Sequence, residues 1–495
     1  MSEHLVVPGE LADAHIAHQS RRLLLIGVAA LIVVLTNAVT FLLPPLLPVL
    51  QAHYQVTSVS AVTWIFTLLT LGGGAGFVVL PKLSDVIGDR STAVIACLAL
   101  TVGAVAAAVG DSYPAILIGA AVMGFGGAAQ LLPLGFLRRA LGEAGLAISV
   151  AVLVIATGVG IVVGMIGGGF IVEHLSLRDF FAILAACFAL TTLASFVVIP
   201  RSAPADKAGG GVAIVGTVWL IVWVGLALLA MTQGLVWGWG ALATLAVALI
   251  AAAGWVRSQR RSSNPVFDPV LFTAPYAVVS SVVIALIAAI NAAFLVLVST
   301  FAQTDPANLP AADAYGLGLN ALQTGELMVP FAITFLIGGV VAERPLAAGR
   351  GPSVLVSGAV LSAVGLALLV VTHDREWSYL VAAAIIGFGC AIVYSACFAL
   401  VQNAVDEREA GMAGSMVGTA MAIGFAFGSA LITCVLGSST IAIPGTDVEV
   451  ATEGLFGVSY VIAIGLAVLI VLAVGISTMR RHGAMTGSVA NSAIS

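Results

Sequence analysis

Residues 277–301 read AVVSSVVIALIAAINAAFLVLVSTF, twenty-five positions without a single Asp, Glu, Lys or Arg. Crossing a hydrocarbon core takes roughly 20 mostly apolar residues in a helix, so this run is long enough to span a bilayer. Its apolar character is continuous rather than alternating, which fits a helix and not a barrel strand. The same pattern recurs in both directions along the chain. Apolar segments lie at 23–49, 61–81, 92–110, 114–137, 146–172, 179–199, 212–233 and 237–256 on one side of it. On the other side they lie at 320–342, 352–372, 378–401, 410–436 and 456–479, which makes fourteen in all. The breaks carry loop chemistry, such as the Pro/Ala/Asp/Lys/Gly stretch at 200–211 and the Arg/Ser/Asn/Pro stretch at 257–265.

Composition points the same way. Of 495 residues, 61% are hydrophobic and 8% charged, with a mean hydropathy of +1.16. A soluble domain carries about 25% charged residues, so lipid must solvate most of this chain. The net charge of −5 says little, because the charges sit in loops and tails. Cys97, Cys187, Cys390, Cys397 and Cys434 all fall inside apolar runs and form no CxxC pair, so they read as small buried side chains. SRRLLL (20–25) faintly resembles an export signal, yet the apolar run that follows is too long and carries no cleavage site. It reads as an uncleaved first span.

The basic residues test the count. With the N-terminus inside, 16 of the 18 Lys and Arg residues fall in internal segments, and only Arg178 and Arg375 lie outside. Positive charge concentrates on the cytoplasmic side of membrane proteins, and one wrong span would invert every later loop. The chain is therefore expected to lie in the cytoplasmic (inner) membrane with both termini cytoplasmic. The expected organisation is an N-terminal tail (1–22), a six-helix half (23–199), a linker with two inserted helices (200–276), a second six-helix half (277–479) and a C-terminal tail (480–495).

Several stretches resemble the major facilitator superfamily, specifically its fourteen-span drug:proton antiporter branch. PKLSDVIGDR (81–90) is similar to the loop motif GxLaDrxGrr. Leu83, Asp85, Gly88 and Arg90 match, while Pro81 replaces a glycine and Asp89 a basic residue. The resemblance implies a latch between the two halves on the cytoplasmic side. Gly88 also permits a tight turn in its own right. GIVVGMIGGG (160–169) resembles the antiporter signature GxxxGPxxGG through Gly160, Gly164, Gly168 and Gly169, with Met165 in place of the proline. Glycines four apart make a smooth face on which another backbone can approach closely. GLVWGWG (234–240), NPVFDPVLF (264–272), LRDFF (177–181) and AGMAGSMVGTAMAIGFAFG (410–428) resemble further marks of the branch. The resemblance implies an all-α membrane fold, two six-helix halves around a central cavity with two inserted helices. It also implies alternating access by rocking one half against the other.

The charges that the resemblance leads one to expect in the N-terminal half are missing. The first span, LTNAVTFLLP (35–44), offers Thr36 and Asn37 where the family carries an acid. In AAVMGFGG (120–127), Ala120 holds the arginine position and Met123 the glutamine position. One ionisable side chain stands inside an apolar run, Glu326 in TGELMVP (324–330). An acid at the centre of a spanning helix costs roughly 2.5–3.5 kcal/mol, so Glu326 is the candidate for proton coupling or cation recognition. A carboxylate reaching the external surface is the bland reading. Asn37, Gln130, Asn291 and Tyr394 are the candidate cavity-lining residues, since the resemblance implies that spans one, four, nine and twelve line the cavity. Each donates and accepts without a charge penalty. His53 and His373 read as solvated loop histidines.

No phosphate loop, metal-ligand cluster or nucleophile–base spacing appears, and the basic residues are dispersed, which argues against nucleic acid. The expectation is a cofactor-free, non-enzymatic monomer. It would export hydrophobic or amphipathic small molecules, with protons as the co-substrate. A proton-independent facilitator or lipid carrier of the same fold is the alternative. A transport-inactive sensor or assembly partner is the alternative of another class.

Overall fold

The computed structural model describes residues 8–201, 213–262, 265–267, 275–402, 410–446 and 448–492. Among these, fourteen helices are long and apolar enough to cross a membrane. The first six are Gln19–His53, Val59–Ile87, Asp89–Gly110, Tyr113–Leu141, Val152–His174 and Leu177–Val198. The middle pair is Ile214–Thr232 and Trp239–Gln259. The last six are Ala277–Gln303, Ala321–Ala347, Gly351–Thr372, Glu376–Val401, Gly414–Leu436 and Gly454–Thr478. They are called spans 1 to 14 in chain order. An even number of crossings returns the chain to the face where it began. That face, which carries both termini, is the terminal face, and the opposite one is the far face.

Local chemistry sets the ends of these helices. Ser58 and Ser176 cap spans 2 and 6 by accepting hydrogen bonds from Ala61 N–H and Asp179 N–H. Asn320 and Gln323 close a reciprocal capping box at the start of span 10. The helix of span 1 begins at Pro8, and that of span 14 continues to Ser492, so both helices run on into the tails. Span 4 is not uniform. Its α-helix tightens to a 3₁₀ turn at Ala128–Leu131 and resumes at Leu132, with Pro133 in the first turn of the new segment.

Within the first six spans, span 1 packs on span 5, span 4 on spans 2 and 3, and span 3 on span 6. Within the last six, span 12 packs on spans 10 and 11, span 9 on span 13, and span 11 on span 14. The two sets meet along two seams, span 2 against span 13 and span 5 against span 10. Spans 7 and 8 pair with each other beside the first of these seams. Trp255 Nε1 donates to Gly216 O at 2.8 Å, and Phe427 of span 13 lines a groove with Leu228 and Leu242.

The far face is tied across the halves by hydrogen bonds. A short hairpin, β1 (Thr440–Ala442) and β2 (Glu449–Ala451), rises before span 14, with Thr440 paired to Ala451. Glu449 N–H donates to Thr57 O at 2.9 Å, and Gln51 Nε2 donates to Glu449 O at 3.2 Å. Gln303 Nε2 donates to Pro45 O at 2.7 Å, using a carbonyl near the three prolines Pro44, Pro45 and Pro48 in span 1. Deeper in the molecule the halves also meet through Thr67 Oγ1 and Ser429 Oγ, 3.1 Å apart.

Candidate transport pathway between the halves

On the N-terminal side the polar centre is Asn37, which is buried in span 1. Its Nδ2 donates to Val33 O at 2.9 Å, to Gln130 Oε1 at 3.1 Å and to Thr157 Oγ1 at 3.5 Å. Gln130 is presented by the 3₁₀ turn of span 4. Two of the expected lining residues are thus brought together, and Thr157 of span 5 joins them. Thr157 went unnoticed in the sequence, where it is one hydroxyl among many. Ala120 and Met123 are fully buried, and a Cβ added at Gly103 of span 3 would fall 2.6 Å from Met123 Cγ. The charge-bearing positions of the family are therefore filled here by close apolar packing.

On the C-terminal side Asn291 and Tyr394 come together. Asn291 is wholly buried in span 9, and the Tyr394 phenol lies beside its amide. Apart from each other, the two groups have no polar partner among the described residues. Leaving a buried polar group unpaired costs about 1–3 kcal/mol, so this pair is a natural place for a polar atom of a ligand or a water molecule. No described contact joins it to the Asn37–Gln130 pair.

Between the two polar points runs a chain of aromatic rings. Tyr394 stands 5.6 Å from Phe335, Phe335 is 5.9 Å from Phe331, and Phe331 stacks on Phe294 at 5.9 Å. Phe41 of span 1 then meets Phe331 at 6.4 Å and Phe425 of span 13 at 6.5 Å, linking the halves. Among the described residues Asp89 is the one buried charged side chain, and it is the first residue of span 3 rather than part of this region. A substrate site opening along these packed rings would offer apolar bulk with a few polar points.

The glycine seam divides its work. A Cβ at Gly160 would fall 2.5 Å from Val34 O, one at Gly164 would fall 2.5 Å from Ala38 O, and one at Gly168 would fall 3.1 Å from Leu42 Cβ. These three bring spans 1 and 5 into backbone contact. Gly169 instead faces the other half, with its Cβ position 2.5 Å from Leu322 Cα of span 10, and Gly325 answers with 2.0 Å to Met165 O. Span 5 is thus wedged between span 1 and span 10 by small residues on both sides.

Glu326, the candidate coupling acid, stands apart from these polar and aromatic groups. It is exposed, on the stripe of span 10 that continues through Ile333 (51% exposed) and Ile337 (49%). Spans 5 and 12 approach other sides of the helix, at Gly325, Phe331 and Gly338. At 1.5 Å per residue, Glu326 stands about 9 Å from the cap at Asn320, near the far face. The outward stripe carries it away from the aromatic chain. His373 departs in the opposite sense. Expected in solvent, it packs edge-on against Phe301 at 5.2 Å, with Nε2 3.8 Å from Glu453 Oε1. His53 pairs at the surface with Asp111 at 3.1 Å.

The loop between spans 2 and 3 is a network within the N-terminal half. Gly88 adopts φ +86°, which only glycine takes without strain. Asp89 accepts from Ser84 Oγ and from Arg139, whose Nε lies 2.8 Å from Oδ2. Asp85 is exposed in the field of Arg139 and Asp89, and the Arg90 guanidinium sits 4.2 Å over the Phe196 ring. Lys82 Nζ donates to Pro265 O at 2.5 Å in the linker before span 9. None of the described contacts of Asp85, Gly88 or Arg90 reaches the C-terminal half. Residues 403–409, the loop before span 13, lie outside the described residues, as do 264 and 268–272 of the NPVFDPVLF stretch.

The family model for the Major Facilitator Superfamily matches residues 29–429. The multidrug resistance protein Stp of Mycobacterium tuberculosis is 24% identical over 397 residues, covering 79% of this chain and 71% of that protein. The tetracenomycin C resistance and export protein of Streptomyces glaucescens is 25% identical, covering 77% and 70%. Among solved structures, the human organic anion transporter MFSD10 superposes with a TM-score of 0.60 at 15% identity, covering 92% of this chain and 99% of that one. The nucleoside transporter NupG gives 0.62 at 14%, covering 92% and 99%. The matched family model, together with fourteen spans in two sets facing each other across an aromatic interior, identifies the chain as a membrane transporter of the Major Facilitator Superfamily.

Proposed function

We propose that this transporter exports hydrophobic or amphipathic small molecules across the cytoplasmic membrane by alternating access, working as a monomer with both termini in the cytoplasm. The observation that carries the reading is the interior between the halves. Its aromatic chain ends on Tyr394 and the neighbouring Asn291, whose polar atoms have no partner among the described residues apart from each other. An apolar substrate with one or two polar groups complements that lining. The names of the relatives, resistance and export proteins, support the direction of transport. The Lys and Arg distribution supports the orientation. The hydrogen bonds across the far face support a reading in which substrate enters from the opposite, cytoplasmic side. The Asp85–Gly88–Arg90 loop is proposed to latch the halves only in the opposite state.

A test is efflux of a panel of lipophilic dyes from cells or everted vesicles carrying the wild type and Asn291→Ala. The reading expects protein-dependent efflux whose KM and dye preference change in the variant. Unaltered preference across the panel refutes a substrate role for Asn291.

Export of this kind is commonly driven by protons, and proton coupling remains the first candidate for the driving force. A second reading, a proton-independent facilitator or lipid carrier, is favoured by one observation. Among the described residues no carboxylate is buried within the spans beyond the turn acid Asp89, and Glu326 faces outward. Transport that responds to an imposed pH gradient decides between the two.

A further inference from the structure

We propose that the cleft between spans 3 and 6 at the terminal face binds the phosphate of an anionic phospholipid. The cleft has a volume of about 430 Å³, and its lining includes Gly88, Arg90, Ser91, Val94, Ile95 and Arg201. Arg90 enters from the first turn of span 3, and Arg201 follows the end of span 6, so two guanidinium groups border one cavity.

Both cations are available. Asp89, the neighbouring acid, is committed to Ser84 and Arg139 on the interior side. Arg90 lies over the Phe196 ring, a stacked arrangement that fixes its plane and leaves its N–H edges free to donate. Among the described residues neither arginine forms an ion pair with a carboxylate. Backbone N–H groups in the opening turn of a helix have no partner within the helix. Those of span 3, together with the Ser91 hydroxyl, add neutral donors on one wall. A planar fork of donors matches phosphate oxygens, the common anionic group at a membrane boundary.

The surroundings select a lipid over a free ion. The cleft opens on the outer surface, and Ile95 (40% exposed), Leu98 (50%) and Val102 (51%) continue from it down span 3 at helical spacing. Span 6 supplies the other wall with Leu193 (60%) and Phe196 (52%). A phosphate seated between Arg90 and Arg201 would therefore lay its acyl chains into a ready apolar furrow. Near a membrane surface each arginine contributes enough that losing both weakens attachment of an anionic lipid roughly 30-fold.

The experiment is native mass spectrometry of the purified full-length transporter with phosphatidylglycerol, phosphatidylcholine or millimolar inorganic phosphate. Wild type is expected to retain phosphatidylglycerol over phosphatidylcholine, and phosphate should not displace it. The paired change Arg90→Gln with Arg201→Gln should lose that retention, and Arg90→Lys with Arg201→Lys should keep most of it. Equal retention of phosphatidylglycerol by the glutamine variant overturns the proposal. So does equal retention of the two lipids by the wild type, and so does displacement by inorganic phosphate, which would assign the cleft to a free anion. A glutamine variant that elutes as an aggregate is replaced by the two single variants, each expected to show an intermediate loss.

Discussion

Gly164→Ala, compared with Gly167→Ala one turn further along the same helix, measures how tightly span 5 is held against span 1. A methyl at Gly164 would fall 2.5 Å from Ala38 O and 3.1 Å from both Ala38 Cα and Leu42 N. All three are backbone atoms, so no side chain can swing aside. Reaching even an unusually tight Cβ contact of 3.0–3.4 Å requires the two helices to part by about 0.5–0.9 Å. A gap of that size forfeits roughly a quarter to a half of each dispersion contact along the seam. Overpacking of this kind costs about 1–3 kcal/mol. At Gly167 a methyl meets nothing nearer than Val163 Cγ1 at 3.9 Å. Both substitutions gain the same helix propensity, about 1 kcal/mol, so it cancels in the comparison. Domains the size of one half shift by roughly 2–4 °C per kcal/mol. Gly164→Ala should therefore unfold between about 2 and 12 °C below Gly167→Ala. The assay is tryptophan fluorescence during heating, with both proteins in the same detergent at one scan rate, since such unfolding is seldom reversible. Coincident curves would refute the close approach. The bulkier Gly164→Leu should insert normally yet lose transport.

Further expectations concern the acid, the polar pair and the far face. Glu326→Gln should leave dye efflux within about twofold of the wild type, because an outward-facing carboxylate near the far face can reach water without an interior role; loss of efflux at equal expression would restore it as a coupling residue. Tyr394→Phe should alter KM for substrates carrying a hydrogen-bonding group while sparing wholly apolar ones, and a uniform loss across both classes would contradict a recognition role. Tyr315→Phe removes the hydroxyl that donates to Ala451 O beneath the hairpin and should cost about 1 kcal/mol, read as a lower unfolding temperature. Burial first, then the nearby Glu453 charge, push the Tyr315 phenol up to about 12 against an opposing hydrogen bond from Thr304. A raised folded pKa means that its stabilisation is complete below the unfolded value near 10 and lost as pH rises through about 12. The Tyr315→Phe deficit should accordingly stay constant between pH 7 and pH 9, and a deficit that vanishes within that window would contradict the assignment.

The spans were legible because lipid imposes one rule on every residue of a crossing segment. Unpaired backbone groups are intolerable in hydrocarbon, so long uncharged runs must be helices, and their number follows from counting. Which side of each helix faces inward was not legible. In a soluble helix, polarity contrast marks the face, but span 10 is apolar all round. Glu326 therefore looked buried until the positions of spans 5 and 12 were known. The glycines at 160, 164 and 168 were legible as a contact surface, whereas the partner of Gly169 on the opposite half was not, since nothing local distinguishes it. Asn37 and Gln130 were singled out as isolated polar residues, and their mutual hydrogen bond came only from the 3₁₀ turn in span 4. The far-face hairpin had a readable signal in TIAIPGTDVEVA (440–451), with apolar residues alternating on either side of Pro444–Gly445. Its short strands were overshadowed by the loop-like composition around them.

The most direct test of the account is flux of a lipophilic, weakly polar dye through purified protein in liposomes, with and without an imposed pH gradient. The account predicts dye movement above the leak of empty liposomes, reduced by Asn291→Ala and unaffected by Glu326→Gln, whichever way the gradient acts. Dye movement indistinguishable from empty liposomes across a chemically varied panel, with correctly inserted protein, would contradict it.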